Sequence, residues 1–174
     1  MDATKLTSDQ IAAHTTEAIN SYIGLPTAGW SPADFAVSLV GVKEEGGRNL
    51  GPPDVLFNLS LKDGSAWCSL FVMACYAAAG RPLPDRAAQW WKRRNAAEMC
   101  AALVNVRMGP GLRPEPSDIC AVPQEGGSGV HVGIVERVNH DRIITIEGNL
   151  RDSVERVERH PAAMVAFFRP GGGW

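Results

Sequence analysis

Apolar residues recur at helical spacing along the first half of the chain and alternate along the second. Over residues 8–22, Ile11, Ala12, Ala18, Ile19 and Tyr22 share a face, and Gly24 and Pro26 follow. That pattern predicts a short amphipathic helix. Ser31 as N-cap, Pro32 at the first helical position and Asp34 in the first turn predict the start of a second helix. Phe35, Leu39 and Val42 continue it as a stripe towards Gly46 and Gly47. Residues 48–65 read as a loop around a short helical piece near Val55, Leu56 and Phe57. Residues 65–80 carry the strongest signal. Ser65 is the predicted N-cap, Gly80 the stop, and Pro82 lies just beyond. Almost everything between is apolar, so this helix is predicted to be buried on most sides. Residues 85–94, with adjacent Trp90 and Trp91, and residues 95–103 predict further helices, and 108–116 a loop.

After Pro116 the period changes to two. Residues 118–122, 131–138, 142–147, 153–159 and 164–169 read as strands. Most are separated by short connections, so neighbours pair antiparallel. Helices followed by a meander of strands predict an α+β domain.

A chain of 174 residues is long enough for one domain with a real core. Its formal charge of −2 gives no electrostatic reason to expect nucleic acid or an anionic membrane as partner. No run is long and apolar enough to span a bilayer. The first residues, from Met1 to Lys5, lack a basic segment followed by an apolar run. The expectation is synthesis in the cytoplasm without a signal peptide. The four cysteines, Cys68, Cys75, Cys100 and Cys120, show neither a C-x-x-C pair nor zinc spacing with the histidines. Reduced thiols are expected.

Chemistry enters at Cys68. A thiol in the first turn of a buried helix meets unpaired backbone N–H groups and the positive end of the helix dipole, which favour a thiolate. Such a nucleophile needs a base, and the base needs an orienting partner. His131 is the best base of the four histidines, because it opens a strand after the Gly-rich stretch 126–129. His14, His140 and His160 sit in the first helix, a turn tip and beside Pro161, and are expected to be solvated. The hairpin supplies the third member. A three-residue turn at 139–141 sets Asn149 opposite His131, and a two-residue turn sets Gly148 there. Either brings Glu147 or Asn149 close to the imidazole, to accept its Nδ1–H.

These residues also carry a resemblance. Gly41-Val42-Lys43-Glu44, Ala66-Trp67-Cys68-Ser69-Leu70-Phe71-Val72, Pro116-Ser117-Asp118-Ile119, Val130-His131-Val132-Gly133-Ile134-Val135 and Ile146-Glu147-Gly148-Asn149 stand in this order. Together they resemble the CHAP-domain peptidoglycan hydrolases of the NlpC/P60 superfamily. The resemblance implies a papain-like fold, with N-terminal helices packed on an antiparallel sheet. It implies Cys68 as nucleophile, His131 as base, Glu147 as the orienting acid and Asn149 as the polar residue after it. It divides the chain into an N-terminal helical extension (1–29), a CHAP-like amidase or peptidase domain (30–170) and a flexible tail (171–174).

The implied activity is cysteine-dependent hydrolysis of an amide bond in the cell-wall stem peptide, as a phage lytic enzyme or a secreted antibacterial effector. The alternatives are a papain-like toxin acting on a host protein and an inactive wall-binding module. Some family members bind calcium through an acidic loop before the cysteine. Here residues 59–65 hold one carboxylate and one lysine, so neither a metal nor another cofactor is expected. The expected partner is bacterial peptidoglycan, joined by an immunity protein if the chain is injected as a toxin. No nucleic acid and no membrane insertion are expected. Without a signal peptide, action in the periplasm or cell wall requires non-classical delivery.

Overall fold

A computed structural model describes residues 7–46, 51–56, 66–81, 83, 95–124, 126 and 129–171. The predicted helix over 85–94, with Trp90 and Trp91, lies outside these residues, as do the acidic-loop positions 59–65 and most of the tail.

Helix α1 spans Ser8–Ile23. Thr7 and Gln10 form a capping box at its start, and Gly24, at φ 65, ends it. Helix α2 spans Pro32–Ser38, with Ser31 and Asp34 as a second capping box. It is shorter than its apolar stripe suggests. Gly41 takes φ 92, and the chain then pairs with a strand: Gly41 N–H donates to Val154 O at 2.9 Å and Val154 N–H to Val42 O at 2.7 Å. Val42 is therefore buried as part of a sheet edge, not a helix face. Helix α3 spans Pro52–Leu56. Helix α4 spans Cys68–Ala78 and α5 spans Ala96–Ala102.

Helix α4 begins at Cys68, later than Ser65 as predicted, because Trp67 is still outside helical geometry (φ −118, ψ 17). Its far end is a Schellman closure: Gly80 N–H donates to Ala77 O and Arg81 N–H to Tyr76 O, both at 2.9 Å. Every residue from Cys68 to Tyr76 is buried.

The strands are β1 (Ile119–Pro123), β2 (Val130–Asn139), β3 (Arg142–Leu150), β4 (Ser153–Arg159) and β5 (Ala166–Phe168). They form one antiparallel sheet in the order β4-β3-β2-β1-β5. Helices α2 and α4 pack against one face of it. Ile19, Phe35, Leu39, Phe71, Val72, Ile119, Val132, Ile134 and Ile146 join in the main core. Ile19 places α1 in that core, where it packs on α4. The fold is α+β, with helices on an antiparallel sheet, as the period change predicts.

Two bulges set the registers. The β2–β3 turn is two residues long, with Asn139 paired to Arg142. That turn alone would set Leu150, not Gly148, across from His131. One extra residue at Glu136 then returns the register to Ile134 opposite Ile146. Carried on, this offset puts Glu147 across from Gly133 and Asn149 across from His131. The β3–β4 turn, Arg151-Asp152, has both residues at positive φ, as a two-residue hairpin of this hand requires. A second extra residue, at Asn149 (φ 57), shifts the pairing from Leu150–Ser153 to Glu147–Glu155. Asparagine is one of the few residues besides glycine that accept this conformation readily.

Gly148 fixes the distance between sheet and helix. A Cβ there would lie 2.4 Å from Phe71 Cβ and 2.9 Å from the Trp67 ring. Strand β3 thus presses directly on the first turn of α4. Gly148→Ala is expected to cost about 1–3 kcal/mol through overpacking, read as a lower denaturant midpoint with an unchanged slope. An unchanged midpoint would show that the contact relaxes freely.

Candidate active site

The start of α4 meets the end of the sheet where β2 begins and β3 finishes. Trp67 is fully buried, and its Nε1–H donates to Glu44 Oε1 at 2.7 Å. Glu44 is itself held at the sheet edge by its N–H, which donates to Asp152 O at 2.9 Å. The residue before Cys68 is thereby tied to the sheet that carries the histidine. The Trp67 side chain does not cap the helix. The first backbone N–H groups of α4 have no acceptor within the helix.

His131 stands on β2 with 12% of its side chain exposed. It alternates with Val132 and Ile134, so it shares a sheet face with Gly133, not with the main core. Glu147 lies across from Gly133 and is fully buried. Its side chain passes over the glycine: a Cβ on Gly133 would lie 2.6 Å from Glu147 Cγ. The carboxylate reaches diagonally along the face, and its Oε2 sits 3.2 Å from His131 Nε2. This is ion-pair distance, off the line of a good hydrogen bond. The contact is made by Nε2, where the sequence reading expects Nδ1. The Cys68 thiol is within hydrogen-bonding reach of the same imidazole.

Two further side chains hold Glu147. Arg159 donates from Nε to Oε1 at 2.6 Å and from Nη2 to Oε2 at 2.7 Å. Thr145 Oγ1–H donates to Oε1 at 2.6 Å. Burial alone would raise the Glu147 carboxyl. The Arg159 bonds, the His131 contact and the Thr145 bond outweigh it and hold the group down at about 2. Burial likewise pulls the His131 imidazolium down. Its contacts with Cys68 and Glu147 prevail and bring it up to about 9. The site therefore favours a charged imidazole beside the ionised Glu147.

The structure brings Cys68, His131 and Glu147 together. Asn149 lies at the β3 bulge, half-buried, next along the same strand. His14, His140 and His160 are exposed. Burial drives the Cys75 and Cys120 thiols far above the ordinary range. Burial, with the charge of Cys68 nearby, brings Cys100 up to about 11. Among the described residues, no group of three or more His, Cys, Asp or Glu could hold a metal ion, and no helix is long and apolar enough to cross a membrane.

Sequence reasoning passed over Arg159, Thr145 and the Glu44–Trp67 bond. Strand alternation gives Thr145 the same face as Glu147, which was a usable signal. Nothing comparable marks Arg159. Without the Asn149 bulge it would pair with Ile144 and turn to the other face; with it, Arg159 pairs with Ile143.

A thiol at the start of a buried helix, beside an imidazole and a carboxylate on an antiparallel sheet, is the arrangement of a papain-like cysteine hydrolase. The family model of the CHAP domain matches residues 60–149, just over half of the chain. The protein belongs to the CHAP-domain family, and that membership implies hydrolase activity on peptidoglycan. Cys68, His131, Glu147 and Asn149 all fall within the match. No curated protein matches the chain significantly.

Proposed function

We propose that the protein is a cysteine amidase or endopeptidase that cuts an amide bond of the peptidoglycan stem peptide, with Cys68 as nucleophile, His131 as acid and base, and Glu147 as the acid that orients it. The observation that carries this reading is the meeting of Cys68, His131 and a buried, ionised Glu147 at the N-terminus of α4. In this mechanism the Cys68 thiolate attacks the amide carbon. The oxyanion takes the Cys68 backbone N–H as one donor, since N–H groups at a helix start lack partners. The His131 imidazolium gives its proton to the leaving amine. Neutral His131 then activates the water that hydrolyses the thioester, and the thiolate–imidazolium pair returns. Glu147 keeps the ring in one orientation through both steps.

The deciding experiment is digestion of purified peptidoglycan with mass analysis of the fragments, beside a Cys68→Ala control. Stem peptides released whole from the glycan mark an amidase. Cut stems or cross-bridges mark an endopeptidase. Undigested wall, under conditions where Cys68 still alkylates rapidly, would exclude wall as the substrate. For the route to the wall, the proposal is release at phage lysis or contact-dependent secretion, with an immunity protein in the second case.

A further inference from the structure

The group that holds Glu147 most firmly lies outside every motif in the sequence. Arg159 grips both carboxylate oxygens, at 2.6 and 2.7 Å, from the neighbouring strand. Only 14% of its side chain is exposed. One buried carboxylate thus serves two cations, one permanent and one that comes and goes.

We propose that Arg159 is a positioning residue of the catalytic unit, keeping Glu147 ionised and fixed in place so that it orients His131 whether or not the imidazole is charged. This rests on the reading of Cys68, His131 and Glu147 as that unit. A buried carboxylate beside a lone imidazole has another course open to it, which is to take the proton itself. A neutral carboxyl group no longer stabilises the imidazolium. His131 must pass through its neutral form in each turnover, and a permanent guanidinium holds the anion through that moment. The bidentate fork, with Thr145 on the same oxygen, also removes the freedom of the carboxylate to rotate.

The same contact has an opposing effect. Arg159 shares the negative charge of Glu147 and so limits how strongly that charge favours the imidazolium. Removing it moves both ends of the pH profile. Glu147 takes up a proton at higher pH, which raises the acid limb. While it remains ionised it holds the His131 proton more tightly, which raises the basic limb. The other groups facing Glu147 leave this logic intact. Cys120 on β1 is a buried thiol pushed well up. Glu155, paired in register on β4, is engaged by Arg151 and Ser153. Cys68 on α4 acts on His131.

The test follows two rates against pH: digestion of peptidoglycan, and alkylation of Cys68 by iodoacetamide read by mass spectrometry. The variants are Arg159→Met and Arg159→Lys, with Arg156→Met as control, since exposed Arg156 bonds to Glu136 elsewhere on the sheet. Arg159→Met is expected to raise the acid limb by about one to three pH units and the basic limb with it. Arg159→Lys keeps the charge but loses the fork, so its acid limb stays while kcat falls at unchanged KM. Both limbs unmoved in Arg159→Met overturns the proposal. If that variant does not fold, wild-type kcat in Arg159→Lys overturns it instead. Alkylation needs no wall substrate. A shifted alkylation profile in a protein that leaves peptidoglycan intact therefore upholds Arg159 and rejects the substrate. Intact digestion with an unshifted profile rejects Arg159 alone.

Discussion

Cys68→Ala is expected to stop peptidoglycan cleavage while the protein stays folded. The loss should be on the order of 10⁴-fold or more, because members of a nucleophile–base unit act together and the rest of the site retains only binding and oxyanion stabilisation. Stability should change by about 1 kcal/mol, since one buried sulfur is removed from a helix whose packing is otherwise intact. Cys68→Ser should be nearly as inactive. The geometry permits proton transfer, but an alkoxide is a far harder species to form than a thiolate. Cys75 is the internal control. It lies deeper on the same helix, and burial keeps its thiol protonated. Cys75→Ala should keep activity and lose some stability instead. Equal digestion by wild type and Cys68→Ala would end the cysteine-hydrolase reading, and an inactive Cys75→Ala would move the nucleophile. Iodoacetamide offers a second check on the same point. Rapid labelling should fall on one thiol, because burial drives the Cys75 and Cys120 thiols far above the ordinary range and Cys100 is pushed up to about 11.

The residues proposed to react were legible because each stands at a boundary the pattern reveals. Cys68 begins the longest apolar run, His131 follows a glycine-rich break, and Glu147 ends the predicted strand stretch 142–147. Sequence periodicity marks such boundaries well. It marks register poorly, because one extra residue reverses every side chain beyond it. The bulges at Glu136 and Asn149 are two such residues, and neither has a composition signal strong enough to predict. They decide that Glu147 lies across from Gly133 and that Arg159 joins it. The same limit explains α2. Phe35, Leu39 and Val42 have helical spacing, yet only a partner strand distant in sequence shows that Val42 is held by Val154. The Glu44–Trp67 bond links parts of the chain that no local rule connects.

Glu147→Gln separates charge from orientation. The amide is nearly isosteric and can still meet His131, but it brings no negative charge. Glu147 is one of the groups that bring His131 up to about 9, so its loss lets the imidazolium release its proton earlier. The basic limb of the pH–rate profile should move to lower pH, with reduced activity at its maximum. Stability should show the matching linkage. His131 has a raised folded value, so its contribution is complete below about 6.5 and is lost as pH rises through about 9. Glu147 has a depressed one, so its contribution is complete above about 4.5 and is lost as pH falls towards 2. A shift of this size corresponds to a few kcal/mol, at about 1.4 kcal/mol per pH unit. The variant should therefore lose most stability near neutral pH, where both groups are charged in the wild type and Arg159 would face an amide. Asn149→Ala should lower activity only mildly and leave the limb in place, because Asn149 adds no charge beside the ring. If Glu147→Gln keeps the wild-type profile while Asn149→Ala is inactive, the orienting role belongs to Asn149 and the unit is Cys–His–Asn.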